Sequence, residues 1–264
     1  MKIIITGASG AIGGALAQLL ATTENTLVLV GRNHEKLAAL NEKCGGGHLV
    51  HVADLTVAAG VTSLQEAVAP IGVIDALAHC VGSTVVRPLH MTQEKDWYEQ
   101  FNINATSAFL MLKWFIMQAM KAQQPGSAVL VSSVVAEAGF ANHEAITAAK
   151  CAVTGLGLSA AASYADKQIR VNVVAPGLTR SALTERFIAT PEAEARSAAM
   201  IPRWPHRRAR RGRARDRVFA LATCGSRERA GAARRRWAGD TAAIAEAKIG
   251  DRSIASIFFG EPIC

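Results

Sequence analysis

Six short apolar runs recur along the first 175 residues, each separated from the next by a stretch with helical apolar spacing. The runs are KIIIT at 2–6, TLVLV at 26–30, HLVHVA at 48–53, VIDALAHC at 73–80, AVLVSS at 128–133 and IRVNVVA at 169–175. Between them lie IGGALAQLLA, HEKLAALNEK, VTSLQEAVA, a long segment from about Trp97 to Lys121, and another from about His143 to Tyr164. Strands alternating with helices predict a parallel sheet covered on both faces. Runs that are apolar throughout, with no polar alternation, fit strands buried on both sides. The expectation is one α/β domain with a doubly wound parallel sheet of the Rossmann type over residues 1–202.

The turn after the first run narrows this further. Thr6-Gly7-Ala8-Ser9-Gly10-Ala11-Ile12-Gly13 follows the first strand and opens the first helix. Bare backbone N–H groups and a helix N-terminus at that place suit a dinucleotide pyrophosphate. The candidate contacts are Gly7, Ser9, Gly10, Ile12 and Gly13. A glycine turn alone is weak evidence, since any tight strand–helix connection favours glycine; its position in the pattern strengthens it. The second strand ends in Val30-Gly31-Arg32-Asn33. A carboxylate there would bind the ribose 2′-hydroxyl of NAD. Gly31 offers none, and Arg32 can pair with a 2′-phosphate, so NADP is favoured, with NAD as the alternative. The plainer reading of Arg32 is a solvated side chain at a helix start.

Ser133 ends the fifth run, Ile146 stands thirteen residues later, and Lys150 follows four beyond that. A serine at a strand end and a lysine on the next helix suit redox chemistry at a carbonyl. Such a site wants an acidic hydroxyl one turn before the lysine. Isoleucine cannot give or take a proton.

With these segments together, the chain resembles the short-chain dehydrogenase/reductase family, of the single-domain 3-oxoacyl-reductase-like type. Thr6–Gly13 is similar to the family's TGxxxGxG, with Ala11 in place of the middle glycine. The resemblance implies that Asp54-Leu55 contacts adenine. His79-Cys80-Val81-Gly82 stands where the family has Asn-Asn-Ala-Gly, which brings Cys80 and Gly82 to the cofactor. Asn104 matches the asparagine that holds a proton-relay water. Ser133 matches the serine that polarises the substrate. Lys150 matches the lysine that binds the nicotinamide ribose and lowers the pKa of a catalytic tyrosine. Arg170-Val171-Asn172 and Pro176-Gly177 match the last strand and nicotinamide loop. The tyrosine position itself is Ile146. The chain has only two tyrosines, Tyr98 and Tyr164, and neither is placed to substitute. His143 is the chemical candidate, its pKa range suiting proton transfer near neutrality. The plainer reading is that it decorates the helix start, with Asn142 as N-cap. A substrate flap is expected from about Leu178 to Met200, with Ser181 where the family often has threonine. The implied activity is NADP(H)-dependent oxidation or reduction of a small secondary alcohol or carbonyl, impaired by the missing tyrosine. A non-enzymic NADP-binding protein is the alternative.

Charge sets the last quarter apart. Residues 1–200 hold 14 Lys/Arg against 15 Asp/Glu, and residues 201–264 hold 15 against 6, so a net −1 is followed by a net +9. Arginine fills 13 of residues 203–236. Clustered arginines can contact nucleic-acid phosphates, but aromatic interleaving is sparse and no binding motif appears. A single-base frame change explains the run better. Back-translated with GC-rich codons and read one base later, Arg203–Phe219 becomes AGRIGEPDEVARAIAF and Arg229–Trp237 becomes GQVLRVDG. Both strongly resemble family segments, in one frame and at the family's separation. Residues 203–264 are therefore expected to form an aberrant basic segment, poorly ordered or irregularly packed, with the last edge strand missing. The family's usual homo-oligomer would lose its interface elements with them.

The five cysteines (Cys44, Cys80, Cys151, Cys224, Cys264) show neither paired nor metal-ligand spacing. That suits a reduced cytoplasmic protein without a metal. No apolar stretch reaches the ~18 residues of a membrane helix, and MKIIITGASG reads as a strand and turn, not a signal peptide. A small-molecule substrate is expected, with neither nucleic acid nor membrane as partner.

Overall fold

In the computed structural model, the described residues are 1–22, 24–179, 181–185 and 189–190, together with the backbones of two short strands at 217–220 and 245–248. The order is β1 (Lys2–Thr6), α1 (Ala11–Leu20), β2 (Thr26–Gly31), α2 (His34–Lys43), β3 (Leu49–Val52), α3 (Ala58–Val68) and β4 (Ala76–His79). It continues with α4 (Glu94–Phe101), α5 (Ser107–Ala122), β5 (Gly126–Val131), α6 (Glu144–Tyr164), β6 (Ile169–Val174), β7 (Arg217–Ala220) and β8 (Ala245–Lys248). Six strands form one sheet in the order β3-β2-β1-β4-β5-β6. Every pairing in it is parallel, with Thr6 opposite both Val30 and His79. This is the doubly wound arrangement expected from the alternation. The order reverses between β1 and β4, where such sheets open a crevice for ligands.

The strands are apolar throughout because each successive side chain feeds a different layer. Ile4, Val28, Val30, Leu77, Ala128 and Leu130 pack with α3, α5 and α6. Ile3, Ile5, Leu27, Leu29, Ala76, Ala78 and Val129 pack on the other face with α1 and α2. Ile3, Ile4 and Ile5 are all fully buried; each such side chain contributes about 1.5–3 kcal/mol on leaving water.

Three expectations need correcting. The long helix from Trp97 to Lys121 is broken: α4 ends at Phe101, a π-helical turn spans Asn102–Thr106, and α5 follows. Ser107 N–H bonds Asn102 O, five residues back. That frees the Ile103 carbonyl, which accepts from the Ser107 hydroxyl at 2.6 Å. Secondly, His143 and not Asn142 is the N-cap of α6; Asn142 lies in the left-handed region at φ +64°. Thirdly, one helical stretch, Glu144–Lys167, is long and apolar enough by composition to cross a membrane. Its Val153, Ala160 and Ala161 belong to the core shared with β5 and β6, which accounts for the apolar composition.

Among the described residues β3 and β6 are the edge strands of the six-stranded sheet, and β7 and β8 pair antiparallel with each other in a separate two-stranded sheet. The expected disorder from residue 203 otherwise lies outside the described residues, as does most of the flap.

Candidate active site and cofactor cleft

All the candidate residues gather at the C-terminal ends of the parallel strands. After β1, Gly7 turns the chain at φ +66°, a conformation that favours glycine. A Cβ there would stand 2.7 Å from the Cys80 carbonyl, and one on Gly13 would stand 2.5 Å from Gly7 O. Side chains at either place would push the β1 turn off β4 or off its own helix. Gly10 caps α1 without a side-chain bond, and the first turn holds no acidic residue. The positive end of α1 is thus left to an anion from outside. Ser9 and Gly10 are exposed at this mouth, and Ile12 is half-buried behind them.

After β2, Ser9 Oγ lies 3.2 Å from where a Gly31 side chain would begin. A larger residue at 31 would have to displace that hydroxyl. Arg32 is exposed next to it. Beyond β3, Asp54 Oδ1 accepts from Thr56 N at 2.9 Å and from Thr56 Oγ1 at 2.8 Å. The backbone bond first, then the hydroxyl, then the Arg32 charge hold its carboxyl below the usual range. Leu55 puts its side chain into the core at 4% exposure, so it can offer a base only its backbone.

The other half of the cleft holds the candidate catalytic residues. Lys150, 6% exposed on α6, donates from Nζ to Val131 O at 2.8 Å. Burial pushes its pKa down to about 8, and Cys80 opposes the shift in part. A Cβ on Gly82 would come within 3.2 Å of Lys150 Nζ and 3.1 Å of Asn104 Oδ1. A side chain at 82 would crowd both groups. Asn104 sits in the π-helical turn, donating to Gln100 O at 2.8 Å and Ser83 O at 3.3 Å, and accepting from Ser83 N at 3.3 Å.

Ser133 opens a 3-10 turn after β5, where its Oγ accepts from Val135 N at 3.4 Å, so its hydroxyl hydrogen can turn to a substrate oxygen. Val134 N donates to Pro176 O at 3.0 Å, which ties the Ser133 loop to Pro176-Gly177 beyond β6. Ser132 Oγ donates to Lys150 O at 3.0 Å and meets Thr154 Oγ1 at 2.8 Å. That pair clamps α6 to the end of β5 and holds Lys150 in register with Ser133.

Ile146 is 3% exposed, one turn before Lys150. His143 lies ahead of the first helical residue at φ −112°, and its Nδ1 bonds Ala141 O at 2.7 Å. The helical register that would carry its side chain under position 146 begins one residue later. Tyr98 is exposed on α4 and Tyr164 ends α6. Ser181 forms a small turn with Thr184 in the described part of the flap, their hydroxyls 3.1 Å apart.

A buried relay that the sequence reading did not single out lies behind the site. His79 Nδ1 meets Thr6 Oγ1 at 2.9 Å, and Nε2 meets Ser107 Oγ at 3.0 Å. Ser107 spends its hydrogen on Ile103 O, so Nε2 carries the ring proton and Nδ1 accepts. Burial first, then the Lys150 charge, pushes the His79 pKa down to about 3. The neutral ring therefore joins the β1 turn to the π-helical turn that holds Asn104. Histidine at the first position of His79-Cys80-Val81-Gly82 was the available signal. Cys80, pushed up to about 12 by burial, is a packing thiol and not a nucleophile.

Known proteins are similar to this chain in sequence and fold. The model of the family described as short chain dehydrogenase matches residues 1–192. A 3-oxoacyl-[acyl-carrier-protein] reductase of Mus musculus is 34% identical over 186 residues, covering 69% of this chain and 77% of its own. A 3beta-hydroxysteroid dehydrogenase of Mediterraneibacter gnavus is 33% identical over 194 residues, covering 70% and 68%. The solved structure of a putative short-chain alcohol dehydrogenase from Sinorhizobium meliloti superposes with a TM-score of 0.68 at 28% identity, covering 74% of this chain and 79% of that one. With a six-stranded parallel sheet and a glycine turn facing β4, this chain belongs to the short chain dehydrogenase family of oxidoreductases.

Proposed function

We propose that this protein is an NADP(H)-dependent oxidoreductase of small carbonyl or secondary-alcohol substrates, with a slowed proton-transfer step. The observation that carries the reading is the gathering of Ser133, Asn104 and Lys150 at the strand ends beside a buried Ile146. The glycine turn, the uncompensated N-terminus of α1 and exposed Arg32 fit a phosphorylated dinucleotide. Ser9 Oγ beside Gly31, with no carboxylate at the end of β2, favours the 2′-phosphate form. Bound there, the cofactor would supply or accept hydride. Ser133 would donate to the substrate oxygen and polarise the carbonyl. Lys150, with one N–H on Val131 O, has the other two for the cofactor ribose and solvent. General acid–base help is worth ~10²–10⁴-fold, and Ile146 removes its usual source.

The second reading, a cofactor-binding protein without turnover, draws on the same buried Ile146. One experiment separates the two. NADPH fluorescence titration and carbonyl-dependent NADPH oxidation are followed together across ketones and 3-oxoacyl thioesters. The oxidoreductase reading expects NADPH to bind at least tenfold more tightly than NADH, with slow but measurable turnover. Tight binding with no turnover across the panel overturns it in favour of the second reading.

The arginine-rich C-terminus is part of this proposal. A one-base change of frame near codons 202–203 accounts for its charge and restores two family-like segments. The family match ends at residue 192, ahead of that point. A homo-oligomer of the usual kind would need those restored elements.

A further inference from the structure

The histidine at the end of β4 is chained to two turns that lie far from it in sequence. Thr6 and Ser107 are fully buried, and His79 is 1% exposed. The Ser107 hydroxyl gives its hydrogen to Ile103 O at 2.6 Å, so its oxygen accepts from His79 Nε2 at 3.0 Å. Nδ1 is then bare and accepts from the Thr6 hydroxyl at 2.9 Å. Every hydrogen in this chain points the same way, from β1 through β4 to α5, and aligned bonds strengthen one another. Burial first, then the Lys150 charge, keeps the ring neutral, so the chain holds this direction near neutral pH.

Its two ends lie in the two halves of the candidate site. Thr6 is the last residue of β1 and leads into Gly7; its carbonyl accepts from Cys80 N, next to His79, at 3.1 Å. A Cβ on Gly7 would lie 2.7 Å from the Cys80 carbonyl, so the glycine turn rests on the residue after His79. At the other end Ser107 closes the π-helical turn that contains Asn104. The Ile103 carbonyl released by that turn takes its bond from the Ser107 hydroxyl. An asparagine, which the family pattern has at position 79, would end level with Nδ1 and stop short of Ser107. The second half of the tie needs the far nitrogen of a ring.

We propose that His79 is a positioning residue that ties the glycine turn to the π-helical turn carrying Asn104, with one ring nitrogen serving each. Nδ1 holds Thr6, and with it the turn that would cradle the cofactor phosphates. Nε2–H holds Ser107, and through it the turn that places Asn104. The ring acts only through these two hydroxyls. Its effect on turnover rests on the oxidoreductase reading above; the tie between the two turns does not.

The test uses the full chain and two pairs of variants. An asparagine amide stands in for Nδ1 and a glutamine amide for Nε2. His79→Asn therefore keeps the Thr6 bond and strands Ser107, while His79→Gln keeps Ser107 and strands Thr6. Ser107→Ala and Thr6→Val remove the same two bonds from the other side. Hydrogen exchange is read without cofactor, NADPH affinity by fluorescence, and kcat and KM with a small ketone. His79→Asn and Ser107→Ala are expected to exchange roughly tenfold faster across residues 102–107 and to lower kcat roughly tenfold, with NADPH affinity within about twofold. His79→Gln and Thr6→Val should exchange roughly tenfold faster across residues 6–13 and bind NADPH roughly fivefold more weakly, with the ketone KM unchanged. Changes spread equally over both segments in all four variants, or absent from both, overturn the proposal, because the ring would then be only a packed core group. If the parent binds NADPH without turnover, exchange and affinity decide by the same criterion. Failure to bind NADPH would defeat the oxidoreductase reading, while the cofactor-free exchange still judges the tie.

Discussion

Ile146 lies one helical turn before Lys150, and both side chains are buried against the end of the sheet. The lysine keeps its neighbours, a bond to Val131 O and the shared spot at Gly82, while the acid it would assist is absent. Replacing Ile146→Tyr puts a phenol beside an ammonium whose charge favours the phenolate. The expected result is a rise in kcat for ketone reduction of about 10²-fold, measured by stopped-flow NADPH oxidation. An unchanged kcat with cofactor bound would mean that position 146 does not face the reacting carbonyl. At this scale, the spacing of Ser133, Ile146 and Lys150 was readable without coordinates, because helix and strand periods are fixed. The contacts of Gln100, Ser83 and His79 were not, because each depends on which distant residue it meets. His79 bridges Thr6 and Ser107, 73 and 28 residues away.

Helix α6 shows how two residues of one type can have opposite effects. Gly155 faces open space, and a Cβ there meets nothing within 4 Å. Gly157 faces the sheet, and a Cβ there would collide with Val173 Cγ2. Gly155→Ala should stabilise the protein by about 0.5–1 kcal/mol through helix propensity alone. Gly157→Ala should destabilise it by about 1–3 kcal/mol, since a β-branched valine in a packed strand has little room to turn. Urea midpoints of the two variants check both signs, and equal shifts would contradict the register of α6 on β6. The elements themselves were legible from the apolar pattern, with boundaries moved by a few residues. The break between α4 and α5 was not. Local propensity allows a continuous helix from Trp97 to Lys121, and only the Ser107–Ile103 bond and its His79 partner show what sustains the π-helical turn.

Across the whole molecule, β3 and β6 are the edge strands of the six-stranded sheet among the described residues. A parallel edge strand with apolar flanks is an invitation to pair with something. Moving the reading frame by one base near codon 203 would supply AGRIGEPDEVARAIAF and GQVLRVDG, a helix-like and a strand-like segment. The restored chain is expected to melt higher by roughly 10 °C and to run as a discrete oligomer in light scattering, where the present chain is expected to aggregate. A restored chain with the same melting point and size would show that the basic segment is no accident. Sequence by itself determined the doubly wound class, the glycine turn after the first strand and the spacing that puts Ile146 one helical turn before Lys150, because period, apolar runs and glycine turns are local properties. Tertiary structure alone decided that Gly82 faces both Lys150 Nζ and Asn104 Oδ1, that Gln100 Oε1 is buried without a partner, and that burial keeps His79 neutral. Those outcomes depend on burial and on contacts between residues far apart in the chain, which no local pattern encodes.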